Sequence, residues 1–354
     1  SVTATVCASA HRREALGVLC TGVGLAVLAH TTSAEAKSPR QAPAESRDSV
    51  SVGFLPMAVG LGTCCPCDVR GEEDGLDDDS AAKSAESVCD ATYLQVTSGL
   101  SAGYRFIDTA SHYNNERSVG AAIEDAVATG TVQRDQVCVC TKVWFDDLGY
   151  DKTLASVAAS NARLSPSGGS GADMVLIHFP GTIDSVQSPA KNKKLRQESW
   201  KALEKLKKDG KVRAIGVSNY VRRHLKELLA SCAVKPDIVE MEIHPFMQQP
   251  ELVAMCQDNG IQVVGFSPLA HGDLPVLKNK VLSDIAQSYD KTVPQVVLRW
   301  MAQEGIVPIV KSASAARLAQ NREIDDFELS ATDMKMIRTL DAGKRVGFDP
   351  GLIA

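Results

Sequence analysis

The sequence predicts a (β/α)8 barrel. Eight short β-rich runs alternate with helical patterns over about 270 residues, the count and length of that fold. No G-x-G-x-x-G follows any of the strands, so the other fold for an alternating chain, a doubly wound sheet, lacks its marker. With 354 residues, 44% apolar and 23% charged, the chain has ample material for a core, as one large domain or two.

The strand runs, in order, are AVGLGT (58–63), RFIDTA (105–110), VCVCTKVW (137–144), MVLIHFP (174–180), RAIGVSN (213–219), DIVEMEIHP (237–245), QVVGFSPL (262–269) and IVPIVKS (306–312). Between them, ERSVGAAIEDAVATG, SWKALEKLKKDGK, PELVAMCQDNG and VPQVVLRWMAQEG repeat apolar residues at helical spacing. Several end in Gly, a helix C-cap signal, and two carry Pro in the first turn. FELSATDMKMIRTLD predicts a closing helix after the eighth unit, with Ser330 as its N-cap. AGKRVGFDPGLIA then reads as a short irregular tail. The one large interruption is an acidic, Gly-containing insertion near residues 65–85.

The N-terminus has a different character. Arg12 and Arg13 precede fifteen largely apolar residues, Ala15 to Ala29, and the small-x-small triplet Ala34-Glu35-Ala36 follows. That run is shorter than the roughly 20 residues a spanning helix needs, so residues 1–36 read as a targeting presequence and not a membrane anchor. The stretch before Arg12 has no acid, and the whole resembles a transit-like segment ahead of a twin-arginine signal. Plastid residence is the expectation, with the thylakoid lumen as its narrower form and a secretory signal as the alternative. Residues 37–50, rich in Pro, Ser and Ala, are expected to be a disordered linker to the barrel domain, 51–354.

Charge and cysteine content exclude some functions. Thirty-eight basic against forty-three acidic side chains give a net charge of −5, with no basic stretch suited to nucleic acid. Ten cysteines in a chain this long do not make a disulfide scaffold. Small-molecule chemistry by a monomer is the expectation.

In a barrel the C-terminal ends of the strands share one mouth, where active sites form. Those ends carry Thr63, Asp108, Lys142, His178, Asn219, Glu240 with Glu242 and His244, Ser267, and Lys311 with Ser312. Each alone has an ordinary structural explanation, such as a cap, a core histidine or a solvated end. Their coincidence on one rim points to a site.

The blocks GYRFIDTASHYNNERSVGAAI, CTKVW, VLIHFP, GKVRAIGVSNY, HPFMQQPELVAMCQDNGIQVVGFSPLA and IVKSASAARLAQN together resemble the aldo-keto reductases, from about Phe54 to Pro350. The resemblance implies a TIM barrel that binds NADPH without a Rossmann domain and reduces aldehydes or ketones. It places the catalytic tetrad on Asp108, Tyr113, Lys142 and His178. In that scheme Tyr113 gives a proton to the carbonyl oxygen, a hard task for a phenol with an ordinary pKa near 10. Lys142 is expected to lower that pKa, Asp108 to hold Lys142, and His178 to orient the carbonyl.

The resemblance further assigns cofactor contacts to Thr63, Ser218, Asn219, Glu240, Phe266, Ser267, Leu269, Lys311, Ser312, Arg317 and Asn321. Lys311 and Arg317 would take the 2′-phosphate of NADPH. Substrate walls fall on Cys64, His112, Trp144 and Phe179. Three departures stand out: Glu240 where the family usually has Gln, Phe266 for the common Tyr, and Cys64 for a large Trp. The last of these, with the short tail, predicts a wide and open site.

Two other classes of function have weaker support in the sequence. A non-catalytic NADP(H)-binding barrel, acting as a sensor or partner subunit, would be marked by tetrad loss, and the tetrad is intact. A zinc module of Cys64, Cys65, Cys67 and Cys89 has adjacent cysteines and no second C-x-x-C pair, so no metal is expected. Cys64 and Cys67, spaced as C-x-x-C around Pro66, leave a redox-active dithiol open beside the simpler reading of small loop residues.

Overall fold

The computed structural model describes residues 59–64, 90–169, 171–182 and 188–354. The presequence, the linker, the acidic insertion and Cys65, Cys67 and Cys89 lie outside the described residues.

Eight strands close into one barrel in chain order, each parallel to the next: β1 (Gly60–Gly62), β2 (Phe106–Asp108), β3 (Cys138–Val143), β4 (Met174–Ile177), β5 (Ala214–Ser218), β6 (Ile238–Glu242), β7 (Gln262–Phe266) and β8 (Ile306–Val310). Closure comes from β1 pairing with β8, Leu61 opposite Val310, which excludes the doubly wound sheet. All eight predicted runs become strands, each trimmed at its ends to the residues that find a parallel partner.

The crossovers are helical: α1 (Asp90–Ser101), α2 (Glu116–Ala128), α3 (Tyr150–Leu164), α4 (Pro189–Lys208), α5 (Arg222–Ser231) and α6 (Pro250–Asp258) follow β1 to β6 in turn. Two helices, α7 (Lys280–Ser288) and α8 (Val293–Gln303), lie between β7 and β8, and α9 (Ala315–Arg322) and α10 (Ala331–Arg338) follow β8. The predicted punctuation is realised. Glycines 130, 210, 260 and 305, just beyond α2, α4, α6 and α8, all have positive φ, which costs glycine least. The closing helix α10 starts where expected, with the Ser330 side chain accepting from the Asp333 N–H. Among the described residues no helix is long and apolar enough to cross a membrane.

Two apolar layers hold the barrel. Phe106, Cys138, Cys140, Met174, Leu176, Ala214, Ile238, Val264, Val307 and Ile309 fill its interior. Alternate residues such as Ile107, Val139, Val175, Ile215, Val239 and Val263 face outward and pack against the helices. At Gly216 an added Cβ would lie 2.4 Å from the Ile238 carbonyl oxygen, so no side chain fits there without moving β6.

Candidate active site

Side-chain alternation decides which groups reach the mouth. Counted by twos from the inner layer, Phe106 leads to Asp108, Cys138 and Cys140 to Lys142, Met174 and Leu176 to His178, Ala214 to Ser218, and Ile238 to Glu240. All five polar residues are buried. A strand in a barrel ends on a carboxylate here because its inward register brings that carboxylate to a lysine.

Lys142 is the centre of the cluster. Its Nζ donates to Asp108 Oδ1 at 2.5 Å and to the Thr109 carbonyl at 3.2 Å, and Glu240 Oε1 lies 3.4 Å away. Burial alone would favour the neutral amine, but Asp108 and then Glu240 outweigh it and hold the Lys142 pKa well above the usual lysine value. The site therefore contains a fixed positive charge. Asp108, Cys140 and Glu240 also place ligand-type atoms within 4.8 Å of one another. The Lys142 ammonium already lies among them, so a metal cation has no place there.

Tyr113 is carried over this charge by the loop after β2. Residues Ser111–Tyr113 form a tight turn, closed by the Tyr113 N–H on the Ala110 carbonyl at 3.1 Å. Ser111 Oγ donates to the carbonyl of Lys142 itself at 3.0 Å. Beyond the ring, buried Asn115 donates to the Thr63 carbonyl at 2.7 Å and accepts from Thr109 Oγ1 at 2.9 Å. Lys142 Nζ consequently lies 5.3 Å from the Tyr113 ring centroid, and His178 meets that ring edge-on at 5.7 Å.

The expected lowering of the phenol is only partly realised. Burial of the half-buried ring pushes the Tyr113 pKa well above its usual value; Lys142 pulls it down, while Asp108, Cys64 and Glu240 push it further up. Lysine thus lessens the acid's reluctance without reversing it, because burial outweighs it and two carboxylates share that lysine. His178 is neutral, its pKa driven well down by burial and then by Lys142 and His112. Its Nδ1 is buried with no hydrogen-bond partner.

The residues assigned to the cofactor lie on or just after β1 and β5 to β8, one side of the barrel, with Arg317 and Asn321 on α9. Buried Thr63 donates through Oγ1 to the Asp108 carbonyl at 3.0 Å, tying β1 to β2. Asn219 Nδ2 donates to the His178 carbonyl at 3.0 Å and contacts Ser218 Oγ at 3.2 Å. Asn219 at φ 60 and Ser267 at φ 56 are both left-handed, a conformation ordinary side chains rarely take, and each sits at the end of a strand. Phe266, Ser267 and Leu269 are half-buried, Ser312 and Asn321 are buried, and Lys311 and Arg317 are exposed.

Aromatic rings form the other side. His112 stacks on Trp144 with centroids 3.6 Å apart and planes 2° apart, and Phe179 meets Trp144 edge-on at 5.7 Å. Cys64 is half-buried at the end of β1, near enough to Tyr113 to act on its phenol. The open mouth expected from a short tail is closed on one side: Phe348 lies 6.1 Å from Phe179, edge to face.

The sequence model of the Aldo/keto reductase family matches residues 75–342. The chain belongs to the aldo/keto reductase family. Among its relatives, glyoxal reductase of Bacillus subtilis is 43% identical over 255 residues, 72% of this chain and 85% of that one. The 9,11-endoperoxide prostaglandin H2 reductase of Trypanosoma cruzi is 43% identical over 252 residues, 71% of this chain and 83% of that one. A crystal structure of a Bombyx mori aldo-keto reductase in complex with NADP superposes with a TM-score of 0.70 at 30% identity, covering 82% of this chain and 91% of that one.

Within this aldo/keto reductase the assigned tetrad is one cluster, but several supporting residues escape sequence reading. Ser111 and Asn115 fix the Tyr113 loop, and Phe348 adds a wall from the far end of the chain. The run TASHYNN, dense in hydroxyl and amide groups around one Tyr, was the only local signal for the first two. A cavity of about 240 Å³ between α4 and α5, lined by Arg196, Trp200, Tyr220 and His224 among others, is separate from this site. Its Arg196 is already held by Glu227 at 3.0 Å.

Proposed function

We propose that this chain is an NADPH-dependent reductase of aldehydes or ketones in which Tyr113 is the proton donor. The observation that carries this reading is the buried Lys142–Asp108 pair at 2.5 Å, held charged beneath the Tyr113 ring with neutral His178 beside it. NADPH, when bound, supplies hydride to the carbonyl carbon. Lys311 and Arg317 would hold its 2′-phosphate, and Ser218, Asn219 and Glu240 its nicotinamide amide.

The chain's own groups manage the oxygen. As the carbonyl oxygen gains charge, the protonated Tyr113 hydroxyl gives up its proton to it. Lys142 stabilises the phenolate left behind, and Asp108 keeps Lys142 in place while balancing its charge. His178, neutral, offers one ring N–H that orients the oxygen without competing as an acid. The rings of His112, Trp144, Phe179 and Phe348 form an aromatic wall beside the reacting face. The intact cluster leaves the sensor reading without a supporting observation.

The names of two relatives, glyoxal reductase and the methylglyoxal reductase of Escherichia coli, point to small aldehydes and dicarbonyls as first substrates to test. NADPH oxidation by purified protein across aldehydes, ketones, dicarbonyls and sugars tests the reading. Turnover of none of them would reject it. Plastid residence is proposed on the sequence alone, from the Arg12-Arg13 and Ala34-Glu35-Ala36 pattern. A mature N-terminus well upstream of Arg12 would reject it.

A further inference from the structure

Resting on the reductase reading, we propose that Glu240 is a positioning residue whose carboxyl competes with the Tyr113 phenol for the Lys142 ammonium, releasing it only when protonated. An ammonium has three N–H donors. The nearest acceptors are Asp108 Oδ1 at 2.5 Å, the Thr109 carbonyl at 3.2 Å and Glu240 Oε1 at 3.4 Å. Among the described residues no hydrogen bond joins that ammonium to the Tyr113 hydroxyl. Glu240 stands where the third donor would otherwise serve the phenol.

Charge counting says which carboxyl carries the proton. One lysine faces two buried carboxyls, so the cluster would hold a net negative charge if both ionised, a costly state away from water. Asp108 makes the short ion pair. Glu240 has weaker contacts with its cation: its Oε1 accepts from Ser218 Oγ at 3.5 Å, its carboxyl faces that of Asp108, and its Oε2 is buried with no hydrogen-bond partner. The spare proton therefore belongs to Glu240. Burial, and next the Asp108 charge, push its carboxyl up to about 8, against the pull of Lys142.

The groups around Glu240 come from every neighbouring strand. They are Asp108 from β2, Tyr113 from the loop after it, Cys140 and Lys142 from β3, and Ser218 from β5. On β7 the residue in register is Val264, which adds no charge. His178, at the end of β4, is held neutral. Only Glu240 is thus placed to change charge in the mildly alkaline range, and its charge acts on the Tyr113 phenol. With Glu240 protonated, Lys142 attends to Asp108 and Tyr113, and the phenol is a better acid. With Glu240 ionised, a second negative charge beside Lys142 raises the phenol by about one pH unit or more.

The test compares wild type with Glu240→Gln, which keeps the shape and removes the titration. Ring-labelled tyrosine NMR, with Tyr113→Phe assigning the resonance, follows the phenol without substrate. In wild type the Tyr113 signal should respond near pH 8, where Glu240 ionises, and that response should vanish in Glu240→Gln. The phenol of the variant should also titrate about one pH unit lower. In turnover, wild-type kcat for carbonyl reduction should fall about tenfold as Glu240 ionises, and that limb should be missing from Glu240→Gln. An unchanged Tyr113 titration, or the same pH profile in both proteins, overturns the proposal. A uniform loss of activity with an unaltered profile also overturns it, since that is the mark of a merely structural role. Failure of every carbonyl to turn over would instead reject the reductase reading, and the NMR titration still decides the role of Glu240.

Discussion

Glu242, at the end of β6, accepts the backbone N–H of Val346 at 2.7 Å, joining residues 104 apart in the chain. The same carboxylate accepts from the Gly347 N–H at 3.2 Å and from Arg345 at 3.2 Å, and His244 Nε2 lies 3.1 Å from it. A tail that looks irregular in sequence is thereby fixed at the mouth, with Phe348 against Phe179.

Glu242→Gln should cost about 1–3 kcal/mol, since a buried carboxylate loses its charge while its donors stay. Guanidinium unfolding measures that loss. Burial alone would raise the Glu242 pKa, but His244, Val346, Arg345 and Gly347 together bring it below the usual carboxylate value. A carboxyl depressed in the folded state stabilises fully above its unfolded pKa and loses that contribution as pH falls through the folded one. Protection of the Val346 and Gly347 amides, relative to the intrinsic exchange rate at each pH, should therefore be lost only below the usual carboxylate pKa. Loss of that protection near neutrality would contradict the clamp.

Phe348→Ala should raise KM for carbonyls with an apolar substituent by about tenfold, the worth of one buried ring contact, while small dicarbonyls change little. Phe348 is 45% exposed, so the substitution should barely alter the unfolding midpoint. Equal changes for both substrate groups would show that the ring does not face the substrate.

Tyr113→Phe should lower kcat for carbonyl reduction by about 10²–10⁴-fold, because the ring stays and the proton is lost. NADPH binding, followed by protein fluorescence, should change less than about threefold, as no assigned cofactor contact is touched. A variant that keeps a tenth or more of its kcat would remove Tyr113 from the acid role.

Glu116 lies three residues beyond Tyr113, and its place is structural. It is buried, accepts from Thr141 Oγ1 at 2.5 Å and from Arg163 Nε at 2.7 Å, and so ties α2 to β3 and α3. Arg163→Ala leaves this carboxylate buried without its cation, at a cost of about 3–5 kcal/mol. Arg163 remains 30% exposed, so water screening should bring the loss toward the lower end. A drop in thermal midpoint with a nearly unchanged KM is the expected pattern.

What the sequence reveals here follows distance along the chain. Parity within a strand is local, so FID and VCVCTK already turn Asp108 and Lys142 inward beside Phe106 and Cys140. Helix ends are equally local, as Ser330 and the closing glycines show. Relations across the fold are not written this way. The grip of Asn115 on the Thr63 carbonyl spans 52 residues and that of Glu242 on Val346 spans 104. The Tyr113 pKa escaped for a related reason: its direction is a balance of burial against several charges, and burial exists only once the barrel has closed.

Arg317→Ala should separate NADPH from NADH. Lys311 leaves β8 at the mouth, and Arg317 sits in the first turn of α9, whose N-cap Ser314 accepts from the Arg317 N–H at 3.4 Å. Both cations are exposed, and among the described residues neither pairs with a carboxylate. A helix N-terminus favours negative charge, and two unpaired cations beside it strengthen that preference. The 2′-phosphate that distinguishes NADPH is the anion such a place would take. One lost charge-assisted hydrogen bond is worth about 1.5–3 kcal/mol, so Kd for NADPH should rise about 10–100-fold. NADH has no such phosphate, and its Kd should change less than about threefold. Wild-type NADPH affinity should also weaken with added salt more steeply than that of the variant, because exposed charges are screened. The Ser314 cap uses the backbone N–H of residue 317, which alanine keeps, so α9 should survive the substitution. Equal weakening of both cofactors would mean that Arg317 supports the helix and does not meet the phosphate.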